Sequence, residues 1–230
     1  KILLFLKDKI KHSFSNSEIF NIFKKSKKIL LFLIEEKILF IDDSIVKIMT
    51  NYSYDKVKYP HYFFPEITSL IDDELNQKIS KEIPENFEEK RKIGQSDDHI
   101  CELIRKDLID DFIKANCELN SKINISIFES NSFLLEKFSD FTKITLIDYA
   151  AFFGSIKIFN YLYQSNVEIK PSLLIYSIHS NNLQLVHFLW QNIEFDPKKK
   201  KKNIFGEYES QENIYEKSLK ESIKCHHNNI

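Results

Sequence analysis

The sequence predicts an all-α fold in which paired helices stack one upon the next, and three observations carry that expectation. An internal repeat with an offset of 27 residues relates 145–162 to 172–189. Both copies space their apolar residues as amphipathic helices do. Glycine and proline number only 3 and 5 in 230 residues, which starves sheet-rich folds and phosphate-cradling loops of turn residues and favours helices joined by short turns.

Composition sets the outer limits. Hydrophobic residues make up 43% and charged residues 29%, a globular balance with enough apolar material for a substantial core. Lys, Asn, Ile, Phe and Tyr are abundant, whereas Ala occurs only at Ala115, Ala150 and Ala151, the bias of an AT-rich coding sequence. Basic and acidic residues number 33 and 34, a net charge of -1, so no global field draws nucleic acid or a cationic partner. Cys101, Cys117 and Cys225 form no close pair and read as reduced thiols of an intracellular, cytoplasmic protein. The apolar runs Ile2–Leu6 and Ile29–Ile34 are too short for a signal peptide or a bilayer span.

The repeat defines the template. Ile156–Leu162 aligns with Leu183–Leu189, and the same offset places Thr145 on Ser172, Tyr149 on Tyr176, Ala150 on Ser177 and Gly154 on Asn181. Thr145 or Ser172 is expected to cap a first helix. Gly154 and Asn181 tolerate the left-handed conformation that ends it. A second helix follows, with Ile158, Phe159, Leu162 and Tyr163 in one copy and Leu185, Val186, Leu189 and Trp190 in the other forming an apolar stripe that reads as core.

Upstream elements are degenerate versions of this plan. An offset of 155 sets Leu30, Leu31 and Ile34 on Leu185, Val186 and Leu189, and Ser15-Asn-Ser-Glu18 fits a capping box that opens the preceding helix. Tyr59-Pro-His-Tyr-Phe-Phe-Pro65 cannot be one helix, because both prolines interrupt it, and it reads as an aromatic loop. Lys90–Gly94 reads as a turn. Ile100–Ile113 suits two short helices turning near Asp107. Near the end, Glu221–Ile230 matches Tyr176–Leu185 at an offset of 45, with Pro197 and Lys198–Lys202 inserted between the copies. The expected division is a divergent helical region at 1–90 and a repeat region at 91–230, clearest at 144–193, with a truncated copy at 214–230. Lys1 in place of Met, and an ending inside a repeat, read as a piece of a longer protein that continues with a further helix pair.

Thr145-Leu-Ile-Asp-Tyr-Ala-Ala-Phe-Phe-Gly-Ser-Ile-Lys-Ile-Phe-Asn-Tyr-Leu162 resembles an ankyrin repeat, keeping its Thr, Ala-Ala, Gly and Ile-x-x-Leu pattern. It has Leu146 for the usual Pro and Asp148 for the usual His. The second copy has Ser-Ile for Ala-Ala, and its spacing is shorter than the usual repeat of about 33 residues. Over Ile29–Lys37, Tyr59–Glu66, Lys90–Phe112 and Thr145–Asn192 the chain also resembles an ankyrin-containing family of unknown function expanded in parasitic protists, which implies no known activity. The resemblance implies an ankyrin-type helical solenoid with divergent N-terminal helical pairs. It further implies contact positions after the small-residue pair, at the turn tips: Phe152 and Phe153 in one copy, His179 and Ser180 in the next. Phe152 and Phe153 have two readings, as binding anchors or as packing beneath the neighbouring unit.

Catalytic motifs are absent. Gly94, Gly154 and Gly206 are too dispersed for a phosphate loop, and no Gly-x-Ser-x-Gly elbow occurs. No cofactor, small-molecule substrate or enzymatic activity is expected. Cys225-His226-His227 is not expected to hold a metal, since successive helical residues point about 100° apart. His179 and His187 read as surface residues, and Asp42-Asp43, Asp72-Asp73 and Asp110-Asp111 as helix starts or solvated faces. The expected role is a protein-interaction scaffold. The alternative is a tether to anionic membrane or nucleic acid through Lys198–Lys202, which otherwise reads as a solvated loop, so neither of those contacts is expected.

Overall fold

The structure, a computed structural model, describes residues 2–139, 144–192 and 214–226. Among these residues every regular element is an α-helix, and the single β pairing is an isolated bridge between Lys122 and Thr145. None of the described helices is long and apolar enough to cross a membrane. The Lys198–Lys202 run lies outside the described residues. The chain divides into two compact units, Lys1–Asp97 with Asn124–Lys143, and Asp98–Ile123 with Ile144–Ile230. The first of these units runs through Asp97, and 124–143 belongs with it.

The first unit carries α1 (Ile2–Phe5), α2 (Lys7–Ser13), α3 (Asn16–Phe23), α4 (Lys27–Glu35), α5 (Asp43–Met49) and α6 (Tyr52–Lys56). It continues with α7 (Tyr59–Tyr62), α8 (Phe64–Ile67), α9 (Asp73–Ser80) and α10 (Phe87–Ile93). Ser15 opens α3 with a full capping box: its backbone N–H donates to Glu18 Oε2 at 2.8 Å while its hydroxyl accepts from the Glu18 N–H at 3.3 Å. Asp42 and Asp72 cap α5 and α9. The Tyr59–Pro65 segment is not a loop but two one-turn helices. Pro60 and Pro65 sit in the first turns of α7 and α8, where a missing N–H costs nothing. Lys90–Ile93 is likewise helical, and only Gly94 turns, at φ 66°. The core gathers Phe20, Leu30, Leu33, Ile45, Met49, Tyr62, Phe63 and Ile67.

Among the described residues of this unit, the basic side chains of Lys27 and Arg91 are buried. Arg91 meets both Glu66 oxygens at 2.8 Å and Glu88 at 3.0 Å. Lys27 sends its Nζ to the carbonyl of Glu129 at 3.0 Å and lies over the rings of Tyr59 and Tyr62.

The second unit is built from helix pairs: α11 (His99–Arg105) with α12 (Ile109–Lys114), then, after α13 (Ser132–Ser139) of the first unit, α14 (Leu146–Phe153) with α15 (Ile156–Gln164). The next pair is α16 (Leu173–His179) with α17 (Leu183–Asn192), followed by α18 (Ile214–Lys224). The first helices of the pairs and α18 pack in sequence order, α11 on α14, α14 on α16 and α16 on α18. Aromatic contacts join the second helices, Phe112 to Tyr161 and Phe188 to both Phe159 and Tyr163. Leu162 and Leu189, which complete their stripes, have no exposed surface.

α11, α14, α16 and α18 are each followed by a left-handed residue: Asp107 at φ 51°, Gly154 at 70°, Asn181 at 52° and His226 at 58°. The offsets of 27 and 45 thus relate real turns. Within α3–α4 the plan fails, because Ser26, aligned with Asn181, is extended at φ −126° and caps α4 instead.

Two expectations are corrected here. Thr145 caps α14, but Ser172 makes no side-chain cap. The chain enters α16 through a tight turn in which the carbonyls of Lys170, Pro171 and Ser172 accept from the N–H groups of 173, 174 and 175, so the donors that a cap would serve are already satisfied. Trp190 is not core; it is 51% exposed, whereas Leu189 beside it is fully buried. Successive helical residues diverge by about 100°, and the stripe closes at Leu189.

Candidate functional site

The turn tips of the second unit form one row. Thr145 starts α14 with a capping box in which its N–H donates to Asp148 Oδ2 at 3.0 Å and its hydroxyl to the same oxygen at 2.7 Å. Burial pushes the Asp148 carboxyl above its usual range, and those Thr145 hydrogen bonds oppose the shift. With its start fixed, α14 delivers Phe152 and Phe153 to its last turn. Gly154 then turns the chain tightly enough that a Cβ there would stand 3.1 Å from Ser180 Cβ. This contact brings the tip of the first copy against that of the second.

Phe152 is buried and stacks on His179, with centroids 4.8 Å apart and planes at 29°. Phe153 is half-buried, packs edge-on against Phe152 at 4.9 Å and lies tilted against Tyr149 at 4.7 Å. Ser180 is half-buried; its hydroxyl donates to the Ser177 carbonyl at 2.6 Å and accepts from the Asn182 N–H at 3.1 Å. Of the four turn-tip residues picked out in the sequence, Phe152 touches both Phe153 and His179, and Ser180 lies against Gly154. Phe153 and Ser180 offer accessible area, and Phe152 is buried beneath them.

His179 is less open than a surface residue, its side chain being 13% exposed. Its Nδ1 lies 3.5 Å from Cys225 Sγ, and its Nε2 lies 3.2 Å from Glu221 Oε1. Glu221, in the last turn of α18, and Cys225, just past its end, stand one helical turn apart on the side that meets α16. Of the Cys225-His226-His227 triplet, Cys225 turns toward His179, His226 is exposed, and His227 lies outside the described residues. Sequence reasoning missed this grouping. Its signal was the i, i+4 pair Glu221 and Cys225, together with the 45-residue offset that lays Cys225 on Ser180, the neighbour of His179.

No protein-family model, curated protein or solved structure matches the chain.

Proposed function

We propose that the chain is a non-catalytic scaffold of ankyrin-like repeats that binds another protein through the turn-tip strip of its second unit. One observation carries this reading. α11, α14, α16 and α18 are followed by left-handed turns at Asp107, Gly154, Asn181 and His226, and these helices pack side by side. Repeated units of this kind present a continuous, variable surface on a shared core, with the chemistry of the tips free to change while the core does not. Under this reading the Asp148 that replaces the usual ankyrin His takes over the capping role with Thr145. The same reading places the protein in the cytoplasm with reduced thiols and assigns it no substrate.

The test uses photo-crosslinking residues placed in turn at Phe153 and Ser180, and at Lys114 on the second-helix side as a control. The expected result is one protein captured from native extract at both tip positions and not at Lys114, with capture lost in Phe153→Ala and Ser180→Glu variants of unchanged helicity. Capture indifferent to those tip changes overturns the reading. Binding that collapses as salt rises overturns it too, in favour of an electrostatic tether.

A further inference from the structure

We propose that His179, Glu221 and Cys225 form a binding site for a divalent cation of the zinc class, which fastens α18 to α16. One donor atom from each of the three residues lies within 4.8 Å of the other two. Donors that share a tetrahedral zinc ion at bond lengths of about 2.0–2.3 Å stand roughly 3.3–3.6 Å apart. The 3.5 Å between Cys225 Sγ and His179 Nδ1 already equals that separation. Glu221 Oε1 stands beside the other ring nitrogen, 3.2 Å from Nε2, so its carboxylate must turn about its own torsions to join an ion held at Nδ1.

Donor chemistry selects the metal. Thiolate and imidazole favour zinc and its neighbours over calcium or magnesium, which prefer oxygen alone. Three protein donors leave a coordination position for solvent. Both sides of the site are held in place: Phe152 stacks on the His179 ring at 4.8 Å, and the Cys225 N–H donates to the Glu221 carbonyl at 2.9 Å, which fixes the two residues one helical turn apart. Binding replaces the thiol proton, which leaves to solvent, and places positive charge where a carboxylate and a sulfur face each other.

The experiment titrates cobalt(II), then zinc(II), into the metal-free full chain under reducing conditions. One equivalent of cobalt is expected to give tetrahedral d–d bands with a thiolate charge-transfer band, and zinc is expected to bleach both. Cys225→Ala should abolish the charge-transfer band, and Glu221→Gln should weaken binding at least about tenfold. Cys117→Ala should change neither. Far-UV circular dichroism of each variant separates loss of the site from loss of the fold, and Glu221→Gln remains informative if Cys225→Ala unseats α18. Absence of a charge-transfer band at excess cobalt, or a band that survives Cys225→Ala, overturns the proposal. So does a Cys225 alkylation rate that zinc leaves unchanged, which would point instead to a reactive thiol–imidazole pair.

Discussion

Asp107 caps a helix that starts about fifty residues downstream: its Oδ1 accepts from the backbone N–H of Ile158 at 3.0 Å, and its Oδ2 from that of Lys157 at 3.1 Å. Ser155, at the N-cap position of α15, makes no such bond and instead donates its hydroxyl to the Ile104 carbonyl. The orphan donors of one helix pair are thus satisfied by the pair before it, which makes the junction directional as well as apolar. Gly154 stands where Asp107 does, one pair along, and has no carboxylate, so α17 relies on Asn182, whose side chain accepts from the Leu185 N–H at 3.2 Å.

Asp107→Ala is expected to destabilise the second unit by ~1–3 kcal/mol, combining the lost cap with the lower tolerance of Ala for the left-handed region. Asp107→Asn keeps one acceptor and tolerates the left-handed region, so its cost should stay below about 1 kcal/mol. Chemical denaturation of the two variants checks the order, and equal losses would contradict the cross-pair cap.

Gly154→Ala meets two obstacles at once. Its φ of 70° is strained for any residue with a Cβ, and that Cβ would press on Ser180 Cβ at 3.1 Å. A loss of ~1–3 kcal/mol is expected. Adding Ser180→Gly should return only the steric part, so a double-mutant cycle should show a favourable coupling smaller than the total loss. A neutral Gly154→Ala would mean that the turn can adopt another path.

What the sequence made legible follows from its periodicity. Gly154, Asn181 and the 27-residue offset announced the turns and helix pairs of 144–193, because φ preference and apolar spacing are local properties. Asp107 as a turn was legible for the same reason, but its capping role was not, since its partners lie about fifty residues away. The helices at Pro60 and Pro65 are not legible, because proline breaks a helix in its interior yet starts one at its first turn, and residue type alone does not say which. The His179 grouping escaped because it depends on how α16 and α18 pack, which no single-helix pattern encodes.

Leu162→Ala and Leu189→Ala should each cost ~2–5 kcal/mol, because both side chains are fully buried and their truncation leaves a cavity in the core. Trp190→Ala offers the contrast. A side chain 51% exposed gives up part of its area to water already, so its loss should be clearly smaller than that of the leucine preceding it. Denaturant midpoints of the three variants provide the comparison, and a Trp190→Ala loss equal to that of Leu189→Ala would restore Trp190 to the core.

Lys27 gives the first unit a pH dependence whose sign follows from its surroundings. Burial holds its ammonium at about 7, far below the ordinary 10.5, while the Glu129 charge opposes that shift and Lys58 adds to it. The folded protein therefore releases this proton near neutrality, whereas the unfolded chain keeps it until about 10.5. Between those values the unfolded state binds more protons, so stability rises with pH across the window and is lost again as pH falls toward 7. Below that, the buried charge persists at a constant penalty, moderated by the carbonyls of Ile127 and Glu129 and by the faces of Tyr59 and Tyr62. Lys27→Met fills nearly the same volume without a titrating group. Subtracting its pH–stability curve from that of the parent cancels every other ionisable residue. The difference is expected to climb by on the order of a few kcal/mol between pH 7 and pH 10, in favour of the parent. A flat difference curve would show that Lys27 is solvated in the folded state, and a falling one would show that Glu129 outweighs burial.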